Sequence, residues 1–323
     1  MKLLFRAPTE ADWPVIRRNF ALAFHRPRPQ AVWDWIYRDA PDGACAMAAF
    51  DAENGALAAF YGATRHRALY RGQPFWLGQI RDVFSHPAYR GGRRGPFVQT
   101  AEAFFERYTG AGDERMALLY GFPSETSYRI GELMLHYRRL PAAALWHCPA
   151  PSPEAYAFGS EAVLEQVDGF GEESERLWRQ RESAVVLGLV RNARFLDWRF
   201  AAQSGRQYLK LLIRRYDESG AAGYLVTRTM GREAWLVDAC LPADFTAARL
   251  AWERLTARLA LQGVRRISTW ALPSQQASLA RLGFGQGGWT PPVFPTYRLF
   301  DSSCSEAEVE AVLGFNMADA DIF

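Results

Sequence analysis

Apolar residues in the first half of the chain follow two spacings, one helical and one extended. Ile16, Phe20 and Phe24 recur on one face of a helix, and Thr9 precedes them as a helix cap. Longer apolar runs bounded by turn residues predict strands. The predicted order is a strand at 3–7, a helix after Thr9, a helix opened by Pro29, strands at 44–52, 56–71 and 74–85, a helix at 96–108, a strand at 117–122, a helix at 124–135 and closing strands up to 148.

The second half repeats this order. Asp34-Trp35 returns 163 residues later as Asp197-Trp198, and Asp82 returns 156 residues later as Asp238. A repeat of this length predicts two copies of one domain. The second copy is predicted as a strand at 162–167, helices at 172–182 and 192–200, strands at 207–216, 221–229 and 233–241, a helix at 245–262, a strand at 264–271, a helix at 274–282 and a last strand near 293–300.

The domain boundaries follow from this repeat and from a proline-rich stretch. A chain of 323 residues is long enough for two cores, and the run from Cys148 to Pro153 contains three prolines, which is typical of a linker. We therefore expect an N-terminal domain at 1–148, a linker at 149–160, a C-terminal domain at 161–301 and an acidic tail at 302–323.

Composition narrows the class of protein. Hydrophobic residues make up 49% and charged residues 23%, as in soluble globular proteins, and a net charge of +3 is too small to favour nucleic acid as a partner. The four cysteines are far apart, so neither a metal site nor a disulfide framework is expected. No apolar run reaches the ~18 residues of a membrane span, and the first residues lack a signal peptide's pattern. We expect a cytoplasmic protein with no membrane partner.

A loop rich in glycine and arginine, at 90–95, lies between a predicted strand and a predicted helix. Glycines at such a junction let backbone N–H groups point at a phosphate, and the helix that starts at Pro96 adds its positive end. Arg90, Arg93 and Arg94 are suited to bidentate contacts with phosphate. An exposed turn or an RNA contact of Arg/Gly type is the alternative.

The stretch from Ile80 to Gly95 and the segment Tyr120-Gly121-Phe122-Pro123-Ser124 resemble the GNAT acetyltransferase superfamily. The resemblance implies an α/β (α+β) fold of two tandem GNAT-like domains, each a mixed, mostly antiparallel sheet flanked by helices. It also implies acetyl-CoA as co-substrate, with its pantetheine arm along the fourth strand and its phosphates at the loop. The cofactor-binding residues implied are Val83, Phe84, Ser85, Arg90, Gly91, Gly92, Arg93, Arg94, Gly95 and Pro96.

The chain departs from the family pattern at three places. Arg93 stands where the loop usually has its middle glycine, and Gly131 stands where the family often has a tyrosine as general acid. Tyr128, one turn earlier, is the substitute candidate, with His136 and Tyr137 as weaker ones. The second copy runs Ala243-Asp244-Phe245-Thr246 into its helix without any glycine cluster, so it is expected to bind no CoA and to form a wall of the substrate cleft.

Asp82 is the candidate base for the amine. Because Asp238 repeats it in the copy that lacks the loop, a shared structural role is the alternative. The acidic tail is expected to be solvated, although the carboxylate of Phe323 is a further candidate base, by resemblance to some tandem members.

These features favour an N-acetyltransferase in which an acceptor amine attacks acetyl-CoA directly in a ternary complex. A catalytically silent CoA-binding sensor or scaffold is the alternative, and an RNA-binding module is a third interpretation. The sequence does not identify the acceptor or the oligomeric state.

Overall fold

The computed structural model describes residues 2–91, 94–112, 114–150, 162–215, 220–287 and 295–320. The chain divides into two compact units. The first contains Met1–Leu140, Gln203–Gly205 and Pro292–Leu313, and the second contains Pro141–Ala202, Arg206–Pro291 and Gly314–Phe323. No helix in the described ranges combines the length and the apolar character that a membrane span requires.

The first unit is a mixed sheet with helices on both faces. In the sheet, neighbouring strands follow the order β1-β2-β3-β4-β5-β15-β6. The elements are β1 (Leu3–Arg6), α1 (Trp13–Phe24), α2 (Gln30–Tyr37), β2 (Ala44–Asp51), β3 (Leu57–Tyr70), β4 (Gln73–Ser85), α3 (Pro96–Tyr108), β5 (Leu118–Gly121), α4 (Glu125–Leu135), β6 (Arg138–Arg139), β15 (Thr296–Leu299) and α9 (Glu306–Val312).

The two faces of this sheet carry separate cores, because successive side chains of a strand point to opposite sides. On one face, Ile16 and Phe20 of α1 and Trp33 of α2 pack against Phe60 of β3. On the other face, α3 and α4 pack against the alternate residues of the strands, including Tyr61 beside Phe104. The sheet thus separates an α1/α2 side from an α3/α4 side.

The second unit repeats this architecture around its own core. Its strands follow the order β14-β7-β13-β12-β11-β10-β8, and the apolar face of α7 packs against the sheet through Trp252, Leu255 and Leu259. The elements are β7 (Ala144–Pro149), β8 (Ala162–Gln166), α5 (Gly171–Arg181), β9 (Leu187–Leu189), α6 (Ala193–Arg199), β10 (Leu209–Arg215), β11 (Ala221–Met230), β12 (Glu233–Cys240), α7 (Phe245–Leu261), β13 (Arg266–Ala271), α8 (Pro273–Arg281) and β14 (Gly285–Gln286).

The two units exchange their closing strands, which the predicted boundaries 1–148 and 161–301 did not anticipate. β7 pairs with β13 in the second unit, although it precedes the predicted linker. β15 pairs with β5 and β6 in the first unit, although it ends the second half of the sequence. The hydrophobic pattern predicts that a segment is a strand, and it does not specify which sheet the strand joins. Of the predicted linker at 149–160, Pro149 ends β7, and residues 151–160 lie outside the described residues.

The described part of the acidic tail, residues 302–320, packs on the rest of the chain, whereas the sequence predicted a solvated tail. Ser305 caps α9, because its hydroxyl accepts from the Glu308 amide at 3.2 Å and its own amide donates to the Glu308 carboxylate at 3.0 Å. Tyr70 donates to the same carboxylate at 2.9 Å, which holds α9 on the first unit. Residues Met317–Asp319 are buried within the second unit. Phe323 lies outside the described residues.

Candidate active site

The site starts where β4 and β5 separate. These parallel strands pair only from Leu77 to Gln79 on β4. Just beyond, Asp82 has a left-handed backbone (φ 55°), and the register between β3 and β4 shifts between Phe60 and Gly62, which marks a β-bulge. The bulge turns β4 away from β5. In the described structure, the edge of β4 at 83–85 that faces away from β3 therefore has no strand partner.

A cleft of about 600 Å³ occupies the gap between the separating strands. It is lined from both sides of the sheet. Ala23 and Phe24 come from α1, and Ile130 and Met134 come from α4. The other described lining residues are Val83, Phe84, Ser85, Tyr89, Arg90, Gly91, Gly95, Pro96, Phe97, Val98, Thr126 and Ser127. Most of this wall is apolar, and none of these described lining residues is acidic.

Four described residues around the glycine loop, Arg90, Gly91, Gly95 and Pro96, line the cleft. Gly91 has φ 139°, a conformation open to glycine, and Gly95 precedes α3 with Pro96 at the first helical position. Neither Gly91 nor Gly95 donates its amide to another described residue. Gly92 and Arg93 lie outside the described residues. Free amides at a helix start are a suitable site for a phosphate.

The two described arginines of the loop differ in their surroundings. Arg90 is exposed and lines the cleft. Arg94 instead donates to the Glu102 carboxylate on α3, at 3.0 and 3.1 Å. Both partners of that pair are exposed, and exposed ion pairs are weak, so a phosphate competes easily for Arg94.

Asp82 does not have the surroundings of a general base. Its carboxylate is buried, lies 2.7 Å from Nη1 of Arg28 and accepts from the Tyr37 hydroxyl at 3.0 Å. Burial, followed by the charge of Asp82, raises the pKa of Tyr37, so this hydroxyl stays protonated. Asp82 is also absent from the described lining of the cleft.

The second copy contains the same ion pair, which supports the structural alternative for Asp82. Asp238 lies 2.6 Å from Nη1 of Arg191, and Arg191 follows Arg28 by 163 residues, the offset that relates Asp34 to Asp197. The pair therefore joins the loop before the second helix to the central strand in both copies. These contacts favour a structural role for Asp82 over that of catalytic base.

The place of the usual tyrosine acid is taken by another side chain. A Cβ atom on Gly131 would lie 2.2 Å from Cδ2 of Tyr137, so the ring of Tyr137 fills the space that a side chain at 131 needs. The Tyr137 hydroxyl is hydrogen-bonded to that of Tyr61 in the core beneath α3. Burial raises the pKa of both hydroxyls. A tyrosine at 131 is therefore incompatible with this position of the Tyr137 ring.

Tyr128, the substitute candidate for the acid, is not among the described residues that line the cleft. Its hydroxyl donates to Glu132 at 2.6 Å, and Arg139 lies over its ring at 4.3 Å. Tyr128 lies on a different face of α4 from the cleft-lining Ile130 and Met134, because residues two apart on a helix point in nearly opposite directions. His136 ends α4 in a left-handed conformation and is exposed.

The second copy closes its own equivalent of the phosphate site. Asp244 caps α7, because its carboxylate accepts from the amides of Thr246 and Ala247 at 3.1 and 3.3 Å. These are the amides that a phosphate would use, and the carboxylate adds a like charge. The expectation that this copy binds no CoA stays a prediction, and the capping contacts of Asp244 give a physical reason for it.

Sequence reasoning missed the residues of the α1 side. Phe24 was read only as part of a core-facing helix pattern, yet it is 42% exposed and lines the cleft. Arg28 was missed too, although its echo at Arg191 carries the offset of the repeat. Extending the repeat comparison to charged residues would have found it.

Comparisons with known proteins agree with this geometry. Residues 5–131 match the sequence profile of the acetyltransferase (GNAT) domain. No curated protein matches the chain in sequence. A conserved protein from Enterococcus faecalis, described as a probable N-acyltransferase, has a TM-score of 0.68 at 15% identity, with 93% of this chain and 73% of that chain covered.

Two other solved structures cover as much of this chain. A GCN5-related N-acetyltransferase from Anabaena variabilis has a TM-score of 0.70 at 11% identity, over 93% of this chain and 73% of that one. A tandem GNAT protein from the clavulanic acid biosynthesis pathway has a TM-score of 0.55 at 16% identity, over 92% of this chain and 98% of that one. At such identities the likeness shows the fold.

Proposed function

We propose, from the premise that residues 5–131 form an acetyltransferase (GNAT) domain within a tandem GNAT fold, that the protein is an N-acyltransferase using acetyl-CoA. The observation that carries this proposal is the cleft at the separation of β4 from β5, which Arg90, Gly91, Gly95 and Pro96 help to line. We also propose that it acts in the cytoplasm on an amine-bearing acceptor.

The residues of the cleft fit the parts of acetyl-CoA. The amides of Gly91 and Gly95, the start of α3 and the side chain of Arg90 suit the phosphates. The unpaired edge of β4 at 83–85 offers backbone groups to the amides of a pantetheine arm, as a sheet edge does to an added strand. The apolar side chains of Val98, Ile130 and Met134 exclude water beside that arm.

The reaction needs little chemistry from side chains. The acceptor ammonium first loses a proton to water; the free amine then forms a bond to the acyl carbon while the bond from carbon to sulfur breaks. The amine's remaining extra proton passes through water to the CoA thiolate, so the products are an amide and free CoA. The chain contributes by holding the reactants together and by offering a β4 amide to the thioester oxygen.

Binding of acetyl-CoA tests this proposal directly. Arg90→Ala removes a charged donor from the proposed phosphate site and should raise the Kd for acetyl-CoA by about tenfold or more. Isothermal titration calorimetry measures the change. Arg129→Ala is the matched control, because Arg129 is an exposed arginine on α4 outside the cleft lining. A wild-type protein that binds no acetyl-CoA would refute the proposal.

A silent CoA-binding sensor is the second candidate, favoured by the packing of Tyr137 against Gly131. Thiol release from acetyl-CoA with a panel of primary amines separates the two functions. Turnover of any amine above the rate without protein supports the transferase. Tight binding of acetyl-CoA without turnover across the panel supports the sensor.

A further inference from the structure

The side of the cleft that receives the acceptor has a distinct chemistry. Because the phosphate loop leads into α3, acetyl-CoA approaches from the α3/α4 side of the sheet. The acceptor then has to enter from the α1/α2 side. We infer that the acceptor is a primary amine on an apolar body that carries no second positive charge. This inference rests on the proposed transferase function and defines its substrate class.

Aromatic side chains form the described wall on the α1 side. Phe24 lines the cleft while 42% exposed, and its ring centroid lies 6.5 Å from that of Phe84, which also lines it. The ring of Phe20 packs against that of Phe24, with the two ring centroids 4.5 Å apart. An exposed aromatic ring held rigidly in a cleft gains burial when an apolar ligand covers it. The wall therefore favours an apolar acceptor body.

Charge on the same side disfavours a polycation. On this side Asp82, the residue before the cleft-lining Val83, is paired with Arg28, and the guanidinium of Arg28 also lies over the rings of Phe20 and Trp33, 4.4 and 5.0 Å from their centroids. His25 and Arg26 follow Phe24 directly and are exposed. Because the described cleft lining contains no acidic side chain, a second ammonium group would meet like charge without a partner.

Acetylation of two amines by the full-length protein tests the inference. Phenethylamine has one amine on an aromatic body, and spermidine is a polyamine with a similar number of non-hydrogen atoms. With acetyl-CoA as donor, kcat/KM for phenethylamine should exceed that for spermidine by about tenfold or more. Equal or faster acetylation of spermidine would overturn the inference while leaving the transferase function intact. Acetylation of neither amine would overturn the inference, and the same result across the whole panel of primary amines would overturn the transferase function.

A charge placed on the aromatic wall tests the residues themselves. Phe24→Asp should lower kcat/KM for phenethylamine by about tenfold and so reduce the ratio of kcat/KM for phenethylamine to that for spermidine. The Kd for acetyl-CoA should stay unchanged. Leu22→Asp is the matched control, since Leu22 is 48% exposed on the same helix and lies outside the described cleft lining. Phe24→Leu should retain most activity. A Phe24→Asp protein with the wild-type preference would overturn the assignment of this wall.

Discussion

At the scale of single residues, two of the candidates for proton transfer make other contacts. Asp82 is paired with Arg28 and accepts from Tyr37, and Tyr128 donates to Glu132. For the proposed transferase, this leaves mainly the positioning of the reactants, which by itself accounts for large rate accelerations.

The contact at Gly131 makes a testable stability prediction. Gly131→Ala places a methyl group against the buried Tyr137 ring, which cannot swing away without leaving its hydrogen bond to Tyr61. Overpacking of this kind lowers the free energy of unfolding by about 1–3 kcal/mol, and the better helix propensity of alanine offsets up to about 1 kcal/mol of this loss. We expect a net loss of roughly 1–2 kcal/mol in urea unfolding.

The control for this prediction is another glycine with open space around it. A Cβ on Gly285 meets no atom within 4 Å, so Gly285→Ala should change the free energy of unfolding by less than about 0.5 kcal/mol. Equal unfolding midpoints for the two variants would mean that Tyr137 does not fill the space beside residue 131.

At the scale of elements, a buried ion pair ties the same parts together in both units, and the second unit extends it. Arg191 pairs with Asp238 on β12 and, at 2.6 Å, with Asp319 of the C-terminal segment, while Asn316 donates to Asp238 at 2.7 Å. Burial, then the neighbouring Asp319, raises the pKa of Asp238 against the lowering effect of Arg191. Two carboxylates thus depend on one guanidinium.

Removing that guanidinium should be costly and dependent on pH. Arg191→Met leaves two buried carboxylates without a cation, and we expect a loss of about 3–5 kcal/mol in the free energy of unfolding at pH 7. The loss should shrink as the pH falls towards about 4, because protonation neutralises Asp238, whose pKa is raised by burial. Chemical unfolding at several pH values measures it. Arg179→Met, on an arginine 73% exposed, should change little at any pH. A loss independent of pH would contradict the account.

The sequence predicted the positions of helices and strands better than it predicted which strands pair. The capped helix starts and the alternating apolar runs placed most helices and strands within about two residues, because local backbone preferences decide them. Pro96, for example, begins α3 as predicted. The partner of β7 and that of β15 depend on distant parts of the chain, and no local pattern encodes them. The glycine loop could be recognised from its local sequence. The place of Phe24 in the cleft lining could not, because it depends on the exposure of this side chain in the folded structure.

At the scale of the whole molecule, the chain contains two copies of one fold that differ at the start of the helix after the central strand. The first keeps a glycine loop with free amides before α3, and the second caps the equivalent helix with Asp244. The shared Arg–Asp pair shows that the second copy kept what the fold needs. The account therefore predicts one acetyl-CoA for each chain, bound at the first copy.

Hydrogen–deuterium exchange with and without acetyl-CoA tests this claim most directly. Bound acetyl-CoA should slow exchange in peptides spanning 83–98, where it covers the β4 edge and the loop, and leave peptides spanning 236–250 unchanged. Calorimetry on the same sample should give one site per chain. Protection at 236–250, or no protection at 83–98 with acetyl-CoA bound, would contradict the account.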